Sequence, residues 1–127
     1  MDIVNASVSN DTKSEWSSYQ KLRELCEANE KTENNHPIQW EALADFTNNN
    51  EQAVLIYRKA LQCAESLALN EYSASINLAM AERSQESGQS AAAFELAQKA
   101  NELARSTNNL QLRQEISKFL LHATSNT

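Results

Sequence analysis

The sequence predicts an all-α protein of stacked helix pairs, and three observations carry that prediction. The first is a near-repeat 40 residues long. Asn49-Asn50-Glu51-Gln52-Ala53 and Gln89-Ser90-Ala91-Ala92-Ala93 open two runs at the same offset, and Ala60/Ala100, Ala64/Ala104, Ser66/Ser106 and Ile76/Ile116 then coincide. A fixed period of this size marks an array in which each unit needs its neighbour to bury its apolar face. The second is apolar spacing of three and four residues, the signature of one helix face. The third is a shortage of punctuation: one Gly and one Pro in 127 residues leave few tight turns for an all-β fold.

The elements follow in order. Residues 1–12 are polar and aperiodic, which predicts a disordered N-terminal tail ahead of one domain over 13–127. Helix one is predicted from Ser14 to Asn29 on the stripe Trp16, Tyr19, Leu22 and Cys26. Pro37 suits the first turn of helix two, which runs to about Thr47 with Trp40, Leu43, Ala44 and Phe46. Asn48-Asn49-Asn50 breaks it, since Asn caps helices and tolerates left-handed backbone. Helix three, Glu51 to about Ala68, carries the strongest stripe: Ala53, Ile56, Tyr57, Ala60, Ala64 and Leu67.

Asn70 is the predicted cap of helix four, Glu71 to Ser87, with Tyr72, Ile76, Ala79, Met80 and Arg83 on one face. Gly88 fits the left-handed residue that ends a helix. Ser90 is the predicted cap of helix five, which runs to about Ser106, and Thr107-Asn108-Asn109 forms the next break. Helix six covers Leu110 to about Ala123 with Leu112, Ile116, Phe119 and Leu120. Six helices on short loops predict antiparallel neighbours and about three hairpins. A closed bundle competes, but Ala93, Ala97, Ala100 and Ala104 favour open stacking, because a bundle core is filled with Leu or Ile.

Composition excludes several classes. No apolar run nears the ~18 residues that span a bilayer, and residues 1–10 lack the basic and apolar regions of a signal peptide. Cys26 and Cys63 lie within helical patterns and read as free thiols of a reducing compartment, so the chain is expected to be cytoplasmic. The net charge is −6, and residues 1–52, with ten acids against four bases, account for all of it. Such a surface repels phosphate backbones and suits a basic partner. The simpler reading, solvating charge on helix faces, stands beside it.

The spacing Gly88, Ala93, Ala97, Ala100 resembles the second half of a tetratricopeptide repeat. That unit is a helix pair with Gly at the inter-helix turn and small residues at these offsets. Asn48, Ala53, Tyr57 and Ala60 match it with Asn in place of Gly, and Ile76-Asn77-Leu78-Ala79 looks like the family's first-helix signature. The period exceeds the usual ~34 residues and is similar to a long-helix variety; HEAT repeats share the length but not the Gly-to-Ala spacing. The resemblance covers residues 37–123. Helix one matches poorly, as a cap or a degenerate half-repeat, and the proline expected at the repeat boundary is absent.

The resemblance implies a right-handed solenoid whose first helices line a concave groove for a peptide or helix of another protein. By resemblance Asn77 is the groove amide that pairs with a peptide backbone. Arg83 and Arg113 are candidates for a partner carboxylate, and Trp40 and Tyr72 for anchoring a partner side chain. The bland alternatives are exposed polar residues for the former and core for the aromatics. A two-carboxylate clamp is not assembled by these residues.

Catalytic chemistry has little support. His36 and His122 have no Cys or acid at ligand spacing, so neither a metal nor a cofactor site is read. His122 suits a helix C-terminus, and His36, preceding Pro37, an extended loop. A phosphotransfer domain would need a helix-borne His with Lys and Gly after it, which neither has. One Gly rules out a Gly-rich phosphate loop. The expectation is a non-catalytic adaptor or chaperone-like module, with a self-associating structural protein, such as a homodimer, as the alternative.

Overall fold

The computed structural model describes residues 3–125, with side-chain surroundings for 15–123. Among the described residues there are six helices and no strand: α1 (Ile3–Asn29), α2 (Pro37–Asp45), α3 (Asn50–Ser66), α4 (Asn70–Glu86), α5 (Ser90–Ala104) and α6 (Leu110–Ser125). The chain divides into two units, Met1–Asn35 and His36–Thr127.

The first unit is α1 and the turn after it. Helix α1 starts at Ile3 rather than near Ser14, so residues 3–12 of the expected disordered tail are helical; Met1 and Asp2 lie outside the described residues. No Gly or Pro occurs before Pro37, so nothing in the sequence stops a helix from extending backwards. Trp16 and Tyr19 stack at 5.9 Å, and Arg23 Nε donates to Glu27 Oε1 at 3.0 Å one turn on. Trp16, placed in the apolar stripe by its spacing, is exposed.

In the second unit each helix packs on the next in sequence, and α2 also touches α4. Connections of three to five residues make these neighbours antiparallel hairpins. The unit therefore holds the hairpins α2–α3 and α4–α5 followed by α6, and α1 belongs to the other unit.

Each helix starts and stops for a local reason. His36 caps α2 in an extended conformation, its Nδ1 accepting from Ile38 N at 3.1 Å, with Pro37 in the first turn. Asn49 Oδ1 accepts from Gln52 N, and Asn109 Oδ1 from Leu112 N. The α3 and α4 ends share one closing turn. Leu69 N reaches back to Ala64 O and Gln89 N to Ser84 O, around left-handed Ala68 (φ 56°) and Gly88 (φ 78°).

That turn corrects two predicted caps. Leu69 and Gln89 occupy the cap positions without a side-chain bond, and Asn70 and Ser90 are already the first helical residues. Two stripe residues are corrected likewise. Phe46 and Leu67 sit one residue past their helices and are 71% and 50% exposed.

Alanine sets the packing distance. All the buried residues of α5 are Ala93, Ala97, Ala100 and Ala104, so α4 approaches its backbone closely. Ala100 and Ala104 share a core cluster with Ala74 and Leu78 of α4 and Leu112 and Ile116 of α6. Ala53, Ala60, Ala64 and Ile76 are buried like Ala93, Ala100, Ala104 and Ile116, 40 residues on. Helix α4, flanked on both sides, buries eight residues around much of its circumference, including Ser73, Asn77 and Ser84.

Candidate functional site

Three helices of the second unit, α2, α4 and α6, contribute to one cleft of about 330 Å³. Glu41 comes from α2; Glu71, Tyr72 and Ser75 from α4; Asn109, Gln111, Leu112 and Glu115 from the start of α6. The α4 and α6 residues repeat the 40-residue register: Glu71/Gln111, Tyr72/Leu112 and Ser75/Glu115. Residues i, i+1 and i+4 of a helix share a face, so the two helices present the same three positions.

The cleft is acidic. Ser75 Oγ donates to Glu41 Oε2 at 2.9 Å, joining α4 to α2. Burial raises the pKa of Glu41; the Ser75 hydrogen bond lowers it, and Asp45 raises it again. Glu82, about two turns beyond Ser75 on α4, is also pushed up, by burial of its carboxyl first and then by Glu115, Glu86 and Asp45. These carboxylates come from α2, α4 and α6, and Arg83 offsets them only in part. Tyr57 donates its hydroxyl to Asp45 from α3. Burial, then that bond, raises the phenol.

Of the five candidates read from sequence, the structure places Tyr72 in the cleft and the other four elsewhere. Tyr72 is half-buried and meets the His36 ring edge-on at 5.3 Å. Trp40 is buried, with Lys59 Nζ 4.9 Å from its ring centroid, so it serves as core. Asn77 is only 1% exposed, and its amide donates to Ser73 O at 2.8 Å. It lies about 200° round α4 from Ser75, away from the cleft. Its Oδ1 is buried without a hydrogen-bond partner.

Arg83 is bound within the fold. Its Nη2 donates to Ala44 O and Asp45 O at 3.2 and 3.3 Å, and its Nη1 to Asn50 Oδ1 and Asn48 O at 3.1 and 3.4 Å. It thus adds a cationic donor to the carbonyls at the C-terminus of α2, where Ala44 O already accepts from Thr47 N. Arg113 is exposed, about 200° round α6 from Gln111 and off the cleft.

Sequence reasoning missed Glu41, Glu71, Ser75, Gln111 and Glu115. The signal was present in the 40-residue register, which extends from α3 and α5 to α4 and α6. Among the described residues no group of His, Cys, Asp and Glu is placed to hold a metal ion. Burial, then Glu27, pushes the Cys26 thiol up to about 11, and burial raises Cys63, so neither is a thiolate nucleophile at neutral pH. No helix among the described residues is long and apolar enough to cross a membrane. No protein-family model, curated protein or solved structure matches the chain.

Proposed function

We propose that this chain is a non-catalytic interaction module that holds a basic peptide or helix of another protein in the cleft lined by α2, α4 and α6. In this reading residues 37–123 form a tetratricopeptide-like right-handed solenoid, with α2, α4 and α6 as the first helices of successive units. Two findings support it: positions 40 residues apart share burial, and the cleft repeats that register on α4 and α6. The module acts as a cytoplasmic adaptor or chaperone-like protein; two free, buried cysteines fit a reducing compartment.

The observation that carries the proposal is the convergence of Glu41, Glu71 and Glu115 from three helices on one cleft that also holds Tyr72. Carboxylates accept from Lys and Arg, and the Tyr72 ring offers a face to a cation or its alkyl stem. Gln111 and Asn109 have amides able to pair with a peptide backbone.

Fluorescence anisotropy with a labelled Lys/Arg-rich peptide tests this, with a Glu-rich peptide of equal length as control. Glu71→Gln/Glu115→Gln should weaken binding about 3–10-fold at low salt and pH 7.5. Glu65→Gln/Glu95→Gln, which removes equal charge from α3 and α5, should change it less than 2-fold on the same scale. Equal losses in both variants would reduce the cleft to a share of general surface charge and sink the proposal.

A further inference from the structure

We propose, on the reading that the cleft takes a basic peptide, that His36 is its proton-operated switch. The neutral ring caps α2 and braces Tyr72; the protonated ring gives up the cap and sets a positive charge against a cationic partner. His36 occupies the N-cap of α2 in an extended conformation (φ −141°, ψ 138°), and its Nδ1 accepts from Ile38 N at 3.1 Å. Helix caps are usually Ser, Thr, Asp or Asn, whose oxygens keep a lone pair at every pH. An imidazole holds that position only while its Nδ1 is bare. With Nδ1 accepting, the ring proton sits on Nε2; a flipped ring would turn a carbon, which accepts nothing, towards the Ile38 amide.

Protonation removes the acceptor. Both nitrogens of an imidazolium are donors, so Nδ1 and the Ile38 N–H become two donors 3.1 Å apart. The ring has to turn away, and the first turn of α2 is left with one more unpaired N–H. Pro37 carries no N–H, so Ile38 is the first donor that α2 must satisfy.

The cleft feels this through one contact. The His36 ring meets Tyr72 edge-on at 5.3 Å, and Tyr72 lines the cleft with Glu41, Glu71 and Ser75. His36 is half-buried, so solvent protons reach it. The titratable groups on the helices of this unit about it are Glu41 and Asp45 on α2, Lys59 on α3, Glu71 and Tyr72 on α4, and Glu115 on α6. Lys59 is turned to the Trp40 ring, and Asp45, at the other end of α2, accepts from Tyr57. Glu41, Glu71 and Glu115 line the cleft. A charged His36 is therefore a cation of the chain itself, one ring away from carboxylates that would take a cation of the partner. A loosened Tyr72 and a competing positive charge both act against a basic peptide. Histidine exchanges its proton between about pH 5 and 8, which sets the range in which the switch works.

Fluorescence anisotropy with an acetylated basic peptide containing only Arg as its ionisable residue, so that its own charge is constant, compares binding at pH 7.5 and 5.5 at fixed ionic strength. His36→Asn is the reference, because Asn caps helices without titrating. Proton uptake by Glu41 and Glu82, both raised by burial, weakens binding in either chain and cancels in the comparison. The loss of affinity from pH 7.5 to 5.5 should be about 2–5-fold larger for the wild type than for His36→Asn. As a second measurement, made without peptide, the Ile38 amide proton of the ¹⁵N-labelled wild type should move upfield as its hydrogen bond breaks, with the midpoint of the His36 ring protons. Equal losses in the two chains, or an Ile38 amide that does not move upfield with the His36 ring, would overturn the switch and leave the cleft reading standing. Absence of binding by the wild type at pH 7.5 would overturn the cleft reading itself, and the switch with it.

Discussion

Replacing Ala100 by Leu tests whether close packing of α5 on α4 holds the second unit together. Ala100 is fully buried in a cluster with Ala74, Leu78, Ala104, Leu112 and Ile116, so three added carbons have no solvent to enter. Overpacking of this kind costs about 1–3 kcal/mol through displaced helices or off-rotamer side chains. At ~2.1 cal/mol/K per residue, unfolding this chain releases about 0.27 kcal/mol/K, so the melting temperature should drop by roughly 4–11 °C. Far-UV circular dichroism during thermal unfolding reads the shift, and urea denaturation checks it through the midpoint at unchanged slope. Ala91→Leu is the control: it lies on the same helix, is exposed, and should change stability by less than about 0.5 kcal/mol. Equal melting of the two variants would mean that α5 does not approach α4 through its alanines, and the account of the core would be wrong.

Four further outcomes follow from single residues. Ala68 holds a left-handed backbone (φ 56°) that glycine adopts freely, so Ala68→Gly should stabilise by about 0.5–1 kcal/mol in urea denaturation, and Gly88→Ala (φ 78°) should destabilise by a similar amount. Arg83→Ala removes donors to Ala44 O and Asp45 O at the end of α2 and should cost about 1–2 kcal/mol, again read by urea denaturation. Glu82 has a folded pKa above its unfolded value, so its ionisation opposes folding at neutral pH. That penalty fades as pH falls through the folded pKa towards the unfolded value of about 4.3. Glu82→Gln should therefore raise the melting temperature at pH 7 and leave it nearly unchanged at pH 4, where the carboxyl is protonated in both states. A constant gap across that range would remove electrostatics as the cause.

Helix type and position were legible because the apolar stripes of α3, α5 and α6 are regular and the breaks are made of Asn, Gly and Pro. Cap identity was not. The closing turns after α3 and α4 fix where the next helix starts, and they draw Asn70 and Ser90 into its first turn. Nor does alanine at position 68 announce a left-handed residue, because its side chain carries no such preference. Asn77 misled for a different reason. A residue named by family resemblance was put on the groove, but α4 is flanked by α3 and α5, and its position 77 turns inward. The cleft acids were missed because glutamates occur on every helix here, and only the third dimension selects Glu41, Glu71 and Glu115 from them. Arg83 had the right chemistry for a carboxylate, yet the fold commits its donors to the carbonyls at the end of α2 and to Asn48 and Asn50.

Chemical-shift mapping of the ¹⁵N-labelled chain during titration with a Lys/Arg-rich peptide tests the central claim most directly. The account predicts saturable shifts concentrated at Glu41, Glu71, Tyr72, Ser75, Gln111 and Glu115, with small ones along the outer faces of α3 and α5. Shifts spread evenly over the acidic residues of all helices, or centred away from α2, α4 and α6, would contradict it.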